Sequence, residues 1–317
     1  MKKRWIVLPI VVFSLLTLIS FAVRFPKEED KPKIIVIAPR LDIEYWKIFE
    51  SGAKKAFHEF NIDGKVIASD SVSPISNHTN MLKKVLKQQP DALILAPIDD
   101  PSITIPVLME YKKKSIPVVL TSRDIDWEYQ TSYIGTDNMT LGETAGKLLG
   151  SMLQPGDQVA IIFGNLEDRA MIDRRNGVKK VLEDIGIEVV TEQLGYNHFG
   201  NPKPVMESIL QTYPNIKGVV ATSDRLALEA LKTIEKDALQ IPVIGTDGTI
   251  EMTKFIKTGK ISATTAQNPY DMGYQSVEQA QKVIKGSNIA KKIDTGVDII
   301  TKDNAKERLN FLQDVLH

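Results

Sequence analysis

The side chains best suited to bind a ligand in this sequence follow short apolar runs. Tyr45-Trp46 comes after Ile34–Ala38 and opens a predicted helix. Aromatic faces pack well on the C–H face of a sugar ring, although Trp46 is equally compatible with a core position. Arg123 follows Val118–Leu120. Its five fixed donors suit vicinal hydroxyls or a carboxylate, with a surface salt bridge as the alternative.

More polar side chains, most of them short, follow the later apolar runs. Each can donate or accept hydrogen bonds, so together they can satisfy a polyol. They occur in Gly135-Thr136-Asp137-Asn138, Arg174-Arg175, Thr222-Ser223-Asp224, Thr246-Asp247 and Gln267-Asn268. The set contains no nucleophile beside a base, no carboxylate pair at a recognisable spacing and no glycine-rich phosphate loop. An enzyme therefore has little support, and no cofactor is expected.

Composition excludes several other classes of site. The chain has no cysteine, which rules out disulfides, thiolate metal sites, a cysteine nucleophile and a lipid-modified cysteine anchor. Its four histidines are not spaced as metal ligands on one helix. Lys+Arg and Asp+Glu are both 40, so nothing in the charge indicates a nucleic-acid partner.

The elements that position these residues alternate along the chain. Apolar runs rich in Val and Ile are followed by amphipathic stretches, which predicts parallel strands covered by helices and a doubly wound α/β fold. The predicted helices are 44–60, 80–89, 140–152, 172–185 and 224–234, the last with Asp224 as a possible cap. About ten strands are expected, divided evenly near Gly135. In such sheets ligands lie outside the carboxyl ends of the strands.

The first residues predict a membrane segment. Met1-Lys2-Lys3-Arg4 is basic, Trp5–Val23 carries no charge, and the charged stretch Lys27–Lys31 follows. The run is long enough for a single spanning helix, and the basic start places the folded part outside. A cleaved secretory signal ending at Ser20-Phe21-Ala22 and a buried core helix are the alternatives. Residues 1–32 are accordingly predicted to be a signal-anchor helix and linker.

The end-of-strand residues, in this order, resemble the ribose-type periplasmic binding proteins and the sugar-binding domains of LacI-type repressors. The resemblance covers roughly residues 33–310. It rests on Tyr45-Trp46 before Gly52, Ile116–Val119, Ile134–Asn138, Arg174 before Gly177, Ser223–Leu228, Val243–Thr249 and Thr265–Pro269. No helix-turn-helix precedes Lys33, so the repressor branch is not expected.

The resemblance implies a role for each matching residue. Tyr45 and Trp46 correspond to ring-stacking aromatics, Arg123 and Arg174 to hydroxyl-binding arginines, and Asp247 and Gln267 to bidentate polar residues. The remaining predicted ligand-binding residues are Ser122, Asp137, Asn197 and Ser223. Ser122 departs from the acid usual before the first arginine, which makes ribose itself doubtful. Ser223 replaces an Asn or Asp, Ile43 replaces a polar residue, and Asn197 lies near a position that is often aromatic.

The resemblance also implies two doubly wound parallel-sheet lobes joined by a hinge of three crossings, near Thr136, Gln267 and Val297. The expected N-terminal lobe is 33–136 plus 268–297, and the expected C-terminal lobe is 137–267 plus 298–317. Residues 1–32 precede both lobes.

Several functions remain open from the sequence. The first is a receptor that delivers sugar to an ABC permease, and the second is a sensor that reports sugar to a membrane histidine kinase. A receptor for a furanose-like signalling molecule and an enzyme on the same scaffold are further alternatives. Fold alone does not choose among them.

Overall fold

A computed structural model describes residues 31–68, 74–98, 100–165, 168–196 and 202–316, without the side chains of 74–77. The predicted signal-anchor segment, including Trp5–Val23, lies outside these residues. Among the helices that are described, none combines the length and the apolar character needed to cross a membrane.

Twelve strands lie within the described part of the chain. They are β1 (Lys33–Ala38), β2 (Asp63–Ala68), β3 (Ala92–Leu95), β4 (Val118–Thr121), β5 (Ser132–Gly135), β6 (Gln158–Phe163), β7 (Glu188–Leu194), β8 (Gly218–Ala221), β9 (Val243–Asp247), β10 (Ala263–Ala266), β11 (Lys292–Asp294) and β12 (Asp298–Ile300). The central strands β3, β4, β8 and β10 are buried at every position. Their continuous apolar or small side chains fit a sheet covered on both faces.

Ten helices follow or connect these strands. They are α1 (Glu44–Glu59), α2 (Pro74–Lys87), α3 (Pro101–Lys113), α4 (Asn138–Gly150), α5 (Arg169–Asp184), α6 (Val205–Thr212), α7 (Asp224–Lys236), α8 (Ile250–Lys257), α9 (Pro269–Ile284) and α10 (Ala305–Leu316), counted over the described residues. The predicted helices are present with shifted ends. One prediction of a cap was wrong: Ser223, not Asp224, caps α7 by accepting from the amide of Leu226.

The strands form two six-stranded sheets, which give the molecule two α/β lobes. The first sheet has the order β11-β5-β4-β3-β1-β2, and the second has the order β12-β10-β9-β8-β6-β7. Every pairing in the first sheet is parallel. In the second sheet β12 runs antiparallel to β10, an exception to the all-parallel expectation. An antiparallel edge strand is common on such sheets.

The chain passes between the sheets three times. It leaves the first sheet after β5 and enters the second at β6, and it returns after β10 through α9, which packs on α1. The short segment between β11 and β12 makes the third passage. Because the carboxyl ends of strands in both sheets lie next to these passages, the loops there converge between the lobes.

Candidate functional site

Four of the predicted residues are joined by hydrogen bonds across the two lobes. Arg174 Nη1 donates to Asp247 Oδ1 at 2.9 Å, and Gln267 Nε2 donates to the same oxygen at 2.9 Å. The phenol of Tyr45 donates to Gln267 Oε1 at 3.3 Å. Tyr45 lies in the first turn of α1, whereas Asp247 ends β9 and Gln267 follows β10. The network therefore connects side chains at the strand ends of both sheets.

Arg174 is the most deeply buried member, with only 3% of its side chain exposed. Its Nε donates to Asn138 Oδ1 at 2.9 Å, and its Nη1 also donates to the carbonyl of Thr222 at 3.0 Å. Asp247 keeps 23% of its side chain exposed. A buried guanidinium is tolerable only when it is paired and hydrogen-bonded, and these acceptors meet that requirement. The guanidinium is consequently held in one orientation.

The aromatic pair forms one wall of the same region. The rings of Tyr45 and Trp46 meet edge to face at 5.1 Å between centroids, and Trp46 meets Phe49 in the same way at 5.5 Å. Both Tyr45 and Trp46 are half-buried and pack against the core of the first lobe. Burial raises the pKa of Tyr45 to about 12, while Ser122 beside the phenol works in the opposite direction. Tyr45 is therefore a neutral hydrogen-bond donor at neutral pH.

A pair of bonded hydroxyls lies at the strand ends of the second sheet. The hydroxyls of Tyr196 and Ser223 are 2.8 Å apart, and the guanidinium of Arg225 lies over the Tyr196 ring at 5.6 Å. Burial raises the pKa of Tyr196, and the negative charge of Asp247 raises it further. Tyr196 thus places an aromatic face in the second lobe, near the polar network.

Two of the predicted residues adopt backbone angles that L-residues rarely occupy. Ser122 has φ of 64° and Asp247 has φ of 148°. Such conformations cost about 1–3 kcal/mol each and persist only where the surrounding structure imposes them. Ser122 follows β4 of the first sheet and Asp247 ends β9 of the second, so both lie at the carboxyl ends of strands, where binding residues are expected in this architecture.

Two of the predicted residues, Arg123 and Asp137, make their hydrogen bonds outside the network. Arg123 Nη1 donates to the carbonyl of Ile98 at 3.2 Å. The exposed Asp137 caps α4, with its carboxylate accepting from the amide of Thr140 at 3.0 Å. Asn197 lies outside the described residues.

Sequence reasoning missed two residues that the structure brings to this region. Asn138 rather than Asp137 contacts Arg174, because the first turn of α4 directs the two side chains differently. Tyr196 immediately precedes Asn197, and an aromatic residue at the end of a strand was the available signal. Both lie within one position of a predicted residue.

Asp224 is a fully buried carboxylate beneath this region. It accepts from the hydroxyl of Thr264 at 2.6 Å and from both the amide and the hydroxyl of Thr249, at 2.8 and 3.0 Å. Burial, reinforced by the charge of Asp247, raises the pKa of Asp224 to about 7, against the opposite effect of these hydrogen bonds. Asp224 therefore changes its protonation near neutral pH.

This pKa predicts a pH dependence of stability. In the unfolded chain an Asp titrates near about 4, so between pH about 4 and about 7 the folded protein holds the Asp224 proton more tightly than the unfolded chain does. The contribution of Asp224 to the free energy of unfolding is then largest below this window and declines across it. Asp224→Asn should remove that decline. The free energy of unfolding of the variant should therefore rise relative to that of the native protein as the pH rises. Urea unfolding at several pH values measures this.

The exposed Asp63 provides a control, since Asp63→Asn should leave the slope of the native pH profile unchanged. Parallel pH profiles for the native protein and Asp224→Asn would contradict the assignment.

The described residues contain no group of three or more His, Cys, Asp or Glu side chains placed to hold a metal. The network offers instead a buried cation, a partly exposed carboxylate, an amide and aromatic faces. Groups of these types are suited to hydrogen-bonding and stacking on a small polar ring. Fold and site together define a two-lobed α/β binding protein.

Comparison with known proteins gives the family. A family model described as a periplasmic binding protein domain matches residues 34–288. The ribose import binding protein RbsB of Bacillus subtilis is 31% identical over 238 residues, covering 75% of this chain and 77% of that protein. The chain belongs to the type I periplasmic sugar-binding protein family, so the predicted family is confirmed. Members of this family are binding proteins, and the chain is not an enzyme.

Solved structures agree on the fold. GanP, a glucose-galactose binding protein from Geobacillus stearothermophilus, has a TM-score of 0.76 and 27% identity, covering 87% of this chain and 99% of its own. A periplasmic ribose ABC transporter structure from Conexibacter woesei has a TM-score of 0.81 and 21% identity, covering 88% and 95%. The predicted two-lobed parallel-sheet architecture is confirmed, whereas the predicted N-terminal membrane helix lies outside the described residues.

Proposed function

We propose that this chain binds a small sugar between its two lobes, outside the cytoplasmic membrane, and delivers it to an ABC-type importer. The observation that carries the proposal is the network of Arg174, Asp247, Gln267 and Tyr45, which joins strand ends of both sheets. The relatives support it, since the similar protein of Bacillus subtilis is named a ribose import binding protein.

Each part of the network has a use in binding a sugar. Oδ1 of Asp247 accepts from both Arg174 and Gln267, and among the described residues its Oδ2 has no hydrogen bond, so Oδ2 is open to a sugar hydroxyl. A carboxylate accepts hydrogen bonds from hydroxyls strongly because it is charged. The rings of Tyr45 and Trp46 pack on the apolar face of the sugar. The aromatic rings hold the sugar ring in place, and the polar groups of the network fix its orientation.

The lobes close on the sugar by bending at the crossings. The proposed N-terminal lobe is 33–136 plus 268–297, and the proposed C-terminal lobe is 137–267 plus 298–317. This division is supported by the strand content of the two sheets, since β11 joins the first and β12 the second. A sugar that contacts residues of both lobes favours the closed form, because it gains contacts that the open form lacks.

The chain is held at the membrane by the segment Trp5–Val23. Its length and the basic residues before it support an uncleaved anchor with the binding domain outside. The names of the relatives favour an importer permease over a sensor kinase as the partner.

A thermal-shift screen of the full-length protein with pentoses, hexoses and sugar acids tests the function. D-ribose, D-allose and D-arabinose come first, because proteins that bind them are similar to this chain. A true ligand at 100 times its dissociation constant adds about 2.7 kcal/mol to the free energy of unfolding. We expect a clear shift with one sugar or a few epimers. No shift with any member of the panel would contradict the proposal.

The aromatic wall is tested in the same screen. Trp46→Ala should weaken sugar binding and should also lower stability. Truncating a fully buried tryptophan costs about 3–5 kcal/mol, and the loss here should be smaller because Trp46 is half-buried. Trp127→Ala is the matched control. Trp127 is buried in the same lobe but packs near Pro117 and Thr131, at the opposite ends of the strands. Its loss should lower stability and leave affinity unchanged, and equal affinity losses would contradict a binding role for Trp46.

A further inference from the structure

A direct polar contact joins the lobes beside the proposed sugar site. Glu44 is the first residue of α1, which follows β1 of the first sheet. Its Oε1 accepts from the backbone amide of Ile250 at 2.8 Å. Ile250 is the first residue of α8, which lies between β9 and β10 of the second sheet. The contact joins the two lobes through protein groups alone.

The electrostatic surroundings suit a carboxylate at this point. The first amides of a helix lack intrahelical acceptors and carry a partial positive charge, which favours an anion. Thr249 caps α8, but its hydroxyl accepts from Met252 and not from Ile250. The amide of Ile250 therefore depends on Glu44 for its acceptor. A second positive group lies close by: burial lowers the pKa of Arg308, and the charge of Glu44 is among those that oppose this effect.

The neighbouring residue makes a parallel connection. Tyr45 donates to Gln267, which is bonded to Asp247 of the second sheet. Tyr45 belongs to the sugar site proposed above, whereas Glu44 bonds a backbone amide. Adjacent residues of one helical turn thus have two roles: Tyr45 belongs to the binding network, and Glu44 bonds the backbone of the opposite lobe.

We infer that Glu44 is a positioning residue that latches the lobes in the closed arrangement and so sets the affinity of the site without contacting the sugar. The contact with Ile250 exists only when the lobes are together, so its free energy adds to that of closure. A larger closed population raises the apparent affinity for any ligand that requires the closed form. The inference rests on the proposed function for its consequence, but the latch itself acts in the ligand-free protein.

The ligand-free full-length protein tests the latch. The chain has no native cysteine, so Ile103→Cys and Arg169→Cys can carry spin labels at unique sites. Both positions are exposed and lie in the first turns of α3 and α5, on opposite lobes at the cleft. Pulsed electron paramagnetic resonance then gives the distribution of distances across the cleft. Glu44→Ala should lower the ratio of closed to open molecules about 2- to 30-fold.

Glu50→Ala is the matched control. Glu50 lies on the same helix and pairs with Lys54 of that helix at 2.7 Å, so its loss should leave the distances unchanged. Glu44→Gln keeps the shape and an acceptor oxygen, so it should shift the distance distribution by an intermediate amount. This variant tests the latch if Glu44→Ala folds poorly. Distance distributions equal to the native one in both Glu44 variants would overturn the latch. A shift in these variants supports it even if no sugar in the panel binds, so the two proposals fail separately.

Discussion

Replacing Arg174 with alanine should weaken sugar binding about 10- to 150-fold for each hydrogen bond that its guanidinium makes to the ligand. The variant should also lose stability. Breaking a fully buried ion pair costs about 3–5 kcal/mol, and we expect somewhat less here because Asp247 is partly exposed. Removing the guanidinium leaves Asn138 Oδ1, the Thr222 carbonyl and Asp247 Oδ1 without this donor. Isothermal titration with the sugar identified by the screen, together with urea unfolding, measures both effects.

Arg175 is the natural control for this prediction. Its guanidinium pairs with Glu192 and packs over the Phe163 ring at 4.9 Å, on a different side of α5 from Arg174. Arg175→Ala should leave sugar affinity close to native. Equal losses of affinity at the two positions would count against the site and against the closing mechanism.

Replacing Gly142 with alanine should disrupt the site through helix packing alone. A Cβ at Gly142 would lie 2.1 Å from the carbonyl oxygen of Arg174, much closer than real contacts allow. Because that oxygen belongs to the backbone, α4 and α5 must separate, and Arg174 must move away from Asp247. Overpacking costs about 1–3 kcal/mol when side chains can adjust, and we expect at least the upper end here. Affinity should fall together with stability, although Gly142 has no side chain to offer a ligand.

Gly150→Ala on the same helix is the matched control. Its Cβ would meet Cδ1 of Ile185 at 2.4 Å, but that atom is the end of an exposed side chain that can rotate away. The control should be nearly native in both affinity and stability. If Gly142→Ala is equally mild, close packing of α4 on α5 does not position Arg174.

Local patterns in the sequence were sufficient to predict the buried central strands and the region of the site, although the described residues contain twelve strands where about ten were expected. The run Ile34–Ala38 and its counterparts are apolar because they are buried on both faces, so their positions can be read from composition over four to six residues. Since ligands in such sheets bind beyond the carboxyl ends of strands, the segments containing Tyr45, Asp247 and Gln267 could be chosen in advance. The role of each residue in binding stays a prediction.

Only the tertiary structure decided which neighbouring side chain faces the site. Asp137 and Asn138 are adjacent, yet one caps α4 and the other bonds Arg174, and a rotation of one residue along a helix separates these outcomes. Ser223 and Asp224 divide in the same way, the first capping α7 and the second being buried under Thr249. Composition cannot distinguish such pairs, because both members are small and polar.

Contacts between the lobes were also beyond the reach of the sequence. Glu44 and Ile250 are separated by 206 positions, and neither residue type predicts the other as a partner. The amino-acid sequence determined the strands, the family and the chemical types available at the strand ends, since these depend on periodicity and order along the chain. Which of these groups meet depends on how the crossings place the two sheets relative to each other. That placement is decided by packing between residues far apart in the sequence, which local patterns do not record.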